Sequence, residues 1–240
     1  VALRGRHLAD LRGYLVGLPM KEVENEPELV VCYGGDGSLL GAEREFPGVP
    51  KLPIRDGRNS PKCPDHGEET VLEAFLSGML PCQQLLKLEA VRNGDEQRIC
   101  GLNDVLINKR NIASGVRYRL WLDEELYAEH EIVGDGLVAS TPFGSTGYYR
   151  SITHSLFRLG IGIAFNNSTE PLDHLVVPEG TCIRVEVLRG PAVLLADNDP
   201  LRIRLRKGDV VTLRAAETRA VIHGLDAFRC RHCHHLRSRK

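Results

Sequence analysis

The chain has 240 residues, with 31 Lys plus Arg against 32 Asp plus Glu and 42% hydrophobic residues. That balance excludes a mainly disordered chain, and the length allows one large domain or two small ones, each able to bury its own core. A formal charge of −1 argues against nucleic-acid binding through bulk attraction to phosphate, leaving only local basic clusters. No stretch reaches the roughly 20 apolar residues that span a bilayer. The segment from Val1 to Asp10 lacks the apolar centre of a secretory signal, so a cytoplasmic protein with no membrane partner is expected. The seven cysteines are odd in number and scattered, which predicts reduced thiols rather than a disulfide framework.

In chain order, Leu29-Val30-Val31-Cys32-Tyr33 is a short apolar run of buried-strand type that ends at a glycine cluster, with a helix expected from Leu39. Val71, Leu72, Phe75, Leu76 and Met79 recur at helical spacing behind Glu68 and Glu69. This predicts an amphipathic helix packed on a sheet and stopped by Pro81. From about Leu85 the texture changes to short β-branched runs, beginning with residues 105–108 and 116–122. Residues 182–187 and 201–205 then alternate apolar and polar, as strands with one wet face do. Arg189-Gly190-Pro191, Asn198-Asp199-Pro200 and Lys207-Gly208-Asp209 supply turns. The pattern predicts an α/β domain over residues 1–84 and a β-rich domain over residues 85–215, with a ligand cleft at their junction.

Gly34-Gly35-Asp36-Gly37-Ser38 lies between the expected strand and helix, where glycines let the backbone approach a ligand and present N–H groups to it. The pattern is neither a Walker loop nor a Rossmann fingerprint. A carboxylate within a phosphate cradle is electrostatically unfavourable unless a metal offsets it or it must accept a proton. Asp36 is therefore a candidate general base or Mg²⁺ contact, against the plainer reading of a tight turn with an exposed Asp. Asn103-Asp104, at the edge of a strand, can share donors and acceptors between a base and ribose hydroxyls, although Asn-Asp also simply favours turns. Thr141-Pro142-Phe143-Gly144-Ser145-Thr146-Gly147-Tyr148 combines hydroxyls, backbone and a stacking face, with a β-turn as the alternative.

In this order, together with Gly134-Asp135-Gly136 and Ser151, these segments resemble the NAD kinase family, whose members carry GGDGT, an Asn-Glu or Asn-Asp pair and a TPTGSTAY-like stretch. The resemblance implies an α/β domain followed by a β-sandwich-like domain, with the C-terminal segment, residues 216–240, returning to the first domain. It implies phosphoryl transfer from ATP or polyphosphate to the 2′-hydroxyl of the adenosine ribose of NAD, giving NADP, with Mg²⁺ accompanying the triphosphate. Asp36 would then take the hydroxyl proton while Gly35, Gly37 and Ser38 line the phosphate path. Asn103 and Asp104 would contact adenosine. Thr141, Thr146, Gly147, Tyr148 and Ser151 would hold the dinucleotide, and Asp135 would reach it across a subunit interface of a homo-oligomer, a dimer or tetramer. The role of Asp197 stays open.

The chain departs from the family pattern at Pro53-Ile54-Arg55-Asp56-Gly57-Arg58-Asn59-Ser60, where members carry a Gly-x-Asn-x-Gly-x-x-Gly-Phe segment. Gly147 also replaces an Ala, and Ile152-Thr153-His154 replaces a Gly-Gly. Arg55 and Arg58 suit a phosphate donor, against the plainer reading of a solvated surface pair. The departures leave two alternatives to the kinase. One is a non-catalytic NAD- or NADP-binding protein of the same fold. The other is a lipid kinase of the diacylglycerol-kinase type, against which the 141–148 stretch argues. Finally, Cys63-Pro64-Asp65-His66 and Cys230-Arg231-His232-Cys233-His234-His235 carry C-x₂-H and C-x₂-C spacings, and two such knuckles can make one zinc site. If the C-terminus folds back as the family's does, Cys63, His66, Cys230 and Cys233 meet; a flexible basic tail is the alternative, and the sequence assigns no metal ligand.

Overall fold

A computed structural model describes residues 1–58 and 62–238, and it divides into two compact units. The first unit comprises Val1–Leu85 and the chain from Arg219 onward. Its five-stranded sheet runs in the order Ala2–Gly5, Val30–Tyr33, Lys51–Ile54, Ala220–His223, Cys82–Leu85. The first four strands are parallel and the last is antiparallel. Val30–Tyr33 is buried at every position, as a central parallel strand covered on both faces must be. Leu11 of helix Leu8–Leu15 and Val71 and Leu72 of helix Glu68–Leu76 share a core with Leu3, Val31, Tyr33, Leu52 and Ile54.

Two helix ends differ from expectation. The helix after the glycine cluster begins at Asp36 rather than Leu39, with Gly35 as N-cap, and runs to Glu45. The helix Glu68–Leu76 stops before Met79, because Gly78 turns left-handed (φ 68°) and Met79 N–H donates back to the Ala74 carbonyl at 2.9 Å. Met79 is consequently exposed.

The second unit, Leu86–Thr218, is a sandwich of two antiparallel sheets. One has the order Ile132–Gly134, Val116–Leu122, Ile183–Arg189, Val210–Ala215, Leu88–Arg92, Arg98–Gly101, with Glu125–Leu126 paired to the second of these. The other has the order Leu175–Val177, Ile161–Asn166, Gly136–Ser140, Asp104–Lys109, Ala192–Ala196, Ile203–Leu205. Tyr118, Leu120, Val185, Val211 and Leu213 from the first sheet meet Val105, Ile107, Leu137, Ile163 and Leu194 from the second in a single core. The outer face of the second sheet is also covered. Leu106, Val138 and Ala164 pack under Tyr149 of helix Tyr148–Thr153, so these strands read as apolar runs rather than as alternation. The expected α/β and β-sandwich architecture is therefore present, and among the described residues no helix is long and apolar enough to cross a membrane.

Candidate active site

In the first unit, the glycine turn sits at the end of strand Val30–Tyr33 and opens the helix Asp36–Glu45. Gly34 is the position that steric constraints reserve for glycine: its φ is +138°, and a Cβ there would meet Ser38 Oγ. Gly34 N–H donates to the Ile54 carbonyl at 2.9 Å, tying the turn to the neighbouring strand. Gly35 and Gly37 are exposed, Ser38 is half-buried, and no side chain caps the helix. Ser38 N–H donates to the Gly35 carbonyl at 3.0 Å, closing the first turn, and the positive end of the helix dipole there favours an anion.

Asp36 stands in that first turn with both carboxylate oxygens engaged. Arg55 Nη2 donates to Oδ1 at 2.7 Å and Arg229 Nη2 donates to Oδ2 at 3.1 Å. Arg55 is itself fixed, since its Nε donates to the Phe228 carbonyl at 2.9 Å and its guanidinium lies 4.1 Å from the centre of the Phe228 ring. Burial pulls the Arg229 pKa below its ordinary value, opposed by the charge of Asp36. Two guanidiniums therefore lie beside a helix N-terminus, a concentration of positive charge suited to phosphate. Arg58 is placed elsewhere. It bridges Asp10 at 2.6 Å and Asp56 at 2.9 Å and holds the Asp56 carboxyl well below the usual carboxylate range. Of the divergent segment, Asn59 and Ser60 lie outside the described residues.

In the second unit, Asn103-Asp104 and the 141–148 stretch interlock. Thr141 is fully buried; its N–H donates to the Asn103 carbonyl at 2.9 Å, and its hydroxyl donates to the Leu102 carbonyl at 2.6 Å while accepting from Gly144 N–H at 3.0 Å. A Cβ on Gly144 would overlap the Asn103 backbone, so glycine is needed for this close approach. From the other side, Asp197 accepts backbone N–H bonds from Leu102 (2.7 Å), Asn103 (2.8 Å) and Asp104 (3.1 Å). It does so from a left-handed conformation, φ 45°. This anchoring leaves two polar groups of interest. The Asn103 Oδ1 atom is buried and takes no hydrogen bond among the described residues. The Asp104 carboxyl is buried, and burial together with the charge of Asp197 pushes its pKa up to about 7. A buried acceptor without a donor is a group awaiting a ligand or water.

Thr146, Gly147, Tyr148 and Ser151 line an exposed surface above this interlock. Tyr148 faces outward, its hydroxyl accepting from Asn166 Nδ2 at 2.9 Å, and Ser151 Oγ donates to the Tyr148 carbonyl at 2.7 Å. The adjacent Tyr149 points inward and meets Phe157 edge to face at 5.0 Å. Asp135 pairs with Lys109 Nζ at 2.6 Å and Asn167 Nδ2 at 2.8 Å, and these contacts lower its pKa.

Sequence reasoning missed Arg229, which sits 193 positions from Asp36, directly before the Cys230–Cys233 pair and outside any motif tied to the glycine turn. It also left Asp197 unassigned, although an Asp followed by Asn198 at a tight turn is the kind of residue that tolerates positive φ.

The ATP-NAD kinase C-terminal domain profile matches residues 102–223. The chain is 32% identical over 204 residues to the NAD kinase of Syntrophotalea carbinolica, covering 79% of this chain and 70% of that one. It is 29% identical over 225 residues to the NAD kinase of Trichlorobacter lovleyi, covering 88% and 78%. Among solved structures, an NAD kinase from Archaeoglobus fulgidus in complex with ATP shares the fold with a TM-score of 0.75 at 18% identity, over 95% of both chains. Yeast NADH kinase complexed with NADH shares it with a TM-score of 0.73 at 21% identity, over 83% of this chain and 62% of that one. With a profile match across half its length and a relative above 30% identity over most of both sequences, the chain belongs to the NAD kinase family.

Proposed function

We propose that the chain transfers a phosphoryl group from ATP to the 2′-hydroxyl of the adenosine ribose of NAD, giving NADP and ADP. The observation that carries the reading is Asp36, a carboxylate at a helix N-terminus with one guanidinium on each oxygen. A secondary alcohol is a poor nucleophile at neutral pH. A positioned carboxylate that takes its proton contributes about 10²- to 10⁴-fold. The alcohol oxygen forms a bond to the γ-phosphorus, the bond from that phosphorus to the bridging oxygen breaks, and the proton passes to Asp36. ADP leaves with the electron pair of the broken bond.

Arg55 and Arg229 have two roles in this scheme. Without a nucleotide they neutralise Asp36; with one they offer donors to phosphate oxygens, which frees a carboxylate oxygen for the hydroxyl. Gly35, Gly37 and Ser38 line the phosphate path, where the first-turn amides face developing negative charge. Asn103 Oδ1 accepts a hydrogen bond from the adenosine portion, and the Asp104 carboxylate accepts a second. Thr141 holds Asn103 in place, while Thr146, Gly147, Tyr148 and Ser151 form the wall for the dinucleotide. Mg²⁺ is expected with the triphosphate, whose charge it would offset. The turn itself supplies one carboxylate, already paired to arginines, and this is not a protein cage for the ion, so no step here runs through it. The reading further includes a homo-oligomer in which Asp135 approaches a neighbouring subunit's dinucleotide, and a cytoplasmic location.

Incubation with NAD, ATP and Mg²⁺ should yield NADP. Asp36→Asn should abolish turnover while leaving NAD-induced thermal stabilisation largely intact, since the amide keeps the shape but cannot take the proton. A wild-type chain that NAD stabilises yet that forms no NADP would make it a binding protein of the same fold.

A further inference from the structure

Outside the glycine turn, one group of metal-ligating side chains among the described residues lies within the first unit, where the C-terminal segment meets the segment around Cys63. Cys63, His66, Cys230 and Cys233 bring one sulfur or ring-nitrogen atom each to within 4.8 Å of all the others. We propose that these four residues bind one structural zinc ion, a Cys₃His site that fastens the C-terminal helix Arg231–Ser238 to the segment around Cys63.

Local structure pre-sets both halves. His66 N–H donates to the Cys63 carbonyl at 3.0 Å across the single turn Pro64–His66, which brings the two side chains of the C-x₂-H pair to one side. Cys230 and Cys233 span the first turn of the helix, where His234 N–H donates to the Cys230 carbonyl at 3.0 Å. The separations between the halves have the size of a zinc tetrahedron. With Zn–S near 2.3 Å and Zn–N near 2.0 Å, tetrahedral edges are about 3.8 Å between sulfurs and about 3.6 Å from nitrogen to sulfur. The observed values are 3.4 Å for Cys63–Cys233, 4.0 Å for Cys63–Cys230 and 3.3 Å for His66 Nδ1–Cys233. Three sulfurs so spaced are not disulfide-bonded. The Cys63 N–H also points at Cys233 Sγ, 3.3 Å away, an outer contact of the kind that supports zinc-bound thiolates.

Four protein ligands leave no open position, which marks a structural ion rather than a catalytic one. Its effect on the chain is local. Phe228 and Arg229 directly precede Cys230, so the ion holds in place the residues that pack on Arg55 and pair with Asp36. The zinc assignment rests on the four ligands alone and stands whether or not Asp36 is the base.

Elemental analysis of the reduced, purified chain should find one zinc per molecule. Removing it with a strong chelator should lower Tm by about 10 °C. Cobalt substitution should give intense visible bands and sulfur-to-cobalt charge transfer, and X-ray absorption should fit three sulfurs and one nitrogen. His66→Cys should retain the ion while His66→Ala and Cys233→Ser lose at least nine-tenths of it, which keeps the test readable should one variant fold poorly. A folded, reduced wild-type chain that takes up less than a tenth of an equivalent from excess zinc overturns the proposal. Undiminished binding in the folded His66→Ala and Cys233→Ser variants also overturns it, assigning the ion to the neighbouring histidines as adventitious.

Discussion

Asp104 is a carboxyl group buried against a second carboxylate, and its titration has two measurable consequences. Burial first, and the charge of Asp197 second, raise its pKa to about 7. An acid whose folded-state pKa is raised holds its proton more tightly when folded. Its contribution to stability is therefore fully present below the ordinary carboxylate value and is lost as pH rises through about 7. Asp104→Asn cannot ionise, so relative to wild type it should gain on the order of 2–4 kcal/mol between about pH 4.5 and pH 8, read by urea unfolding at each pH. Ligand binding should report the same group. If adenosine donates a hydrogen bond to the ionised carboxylate, NAD should bind more tightly at pH 8 than at pH 6 and release protons at pH 7. Calorimetry in buffers of different ionisation enthalpy measures that release, and a proton count unchanged by Asp104→Asn would remove the contact.

The unit of organisation one level up is the interlock of Asn103-Asp104 with the 141–146 stretch, and Asp197 is its anchor. Three backbone N–H groups converge on one carboxylate, so removing it strands several donors at once. Asp197→Ala should destabilise the chain by about 2–4 kcal/mol and weaken NAD binding with it. Asp197→Asn keeps one acceptor oxygen and should fall between the two in chemical denaturation. Equal stabilities for the Ala and Asn variants would deny the carboxylate this role. The same level shows what was legible in the sequence. The strands 105–108 and 116–122 were readable because sandwich burial imposes either a continuous apolar run or a two-residue period. The turn at Asp36 and the pairs at Asn103 and Thr141 were readable because they are contiguous motifs. The helix end at Gly78 was obscured by the apolar spacing of Met79, which continues past the residue that breaks the helix. The pairing of Arg229 with Asp36 was not readable: the resemblance implied that the C-terminal segment returns to the first domain, but only the place of strand Ala220–His223 between Lys51–Ile54 and Cys82–Leu85 brings this side chain to that carboxylate. Asp197 anchors residues more than 90 positions away, and no local pattern records that.

At the scale of the whole molecule, the second unit leaves some of its own apolar surface uncovered. Strand Leu175–Val177 is the last of its sheet, with one side unpaired among the described residues. Val176 on that strand is 45% exposed, and Leu159, beside the register that pairs Ile161 with Val177, is 81% exposed. Leu156 in the same connection is 51% exposed. An open edge bordered by large aliphatic side chains is a liability that proteins cover or blunt with charge; here the exposed Arg158 between Leu156 and Leu159 and Pro178 after the strand blunt it only in part, and Val176 and Leu159 stay bare. Self-association through this edge would satisfy both the unpaired backbone and the exposed aliphatics, and it is the form the homo-oligomer proposed above would take. Light scattering should then give a mass that is a multiple of 26.6 kDa. Val176→Lys combined with Leu159→Glu should shift it toward a single chain, because a charge on an edge strand opposes pairing without touching the core. A wild-type chain that stays monomeric at micromolar concentration would deny the interface altogether. An oligomer unaffected by both substitutions would move it to another face.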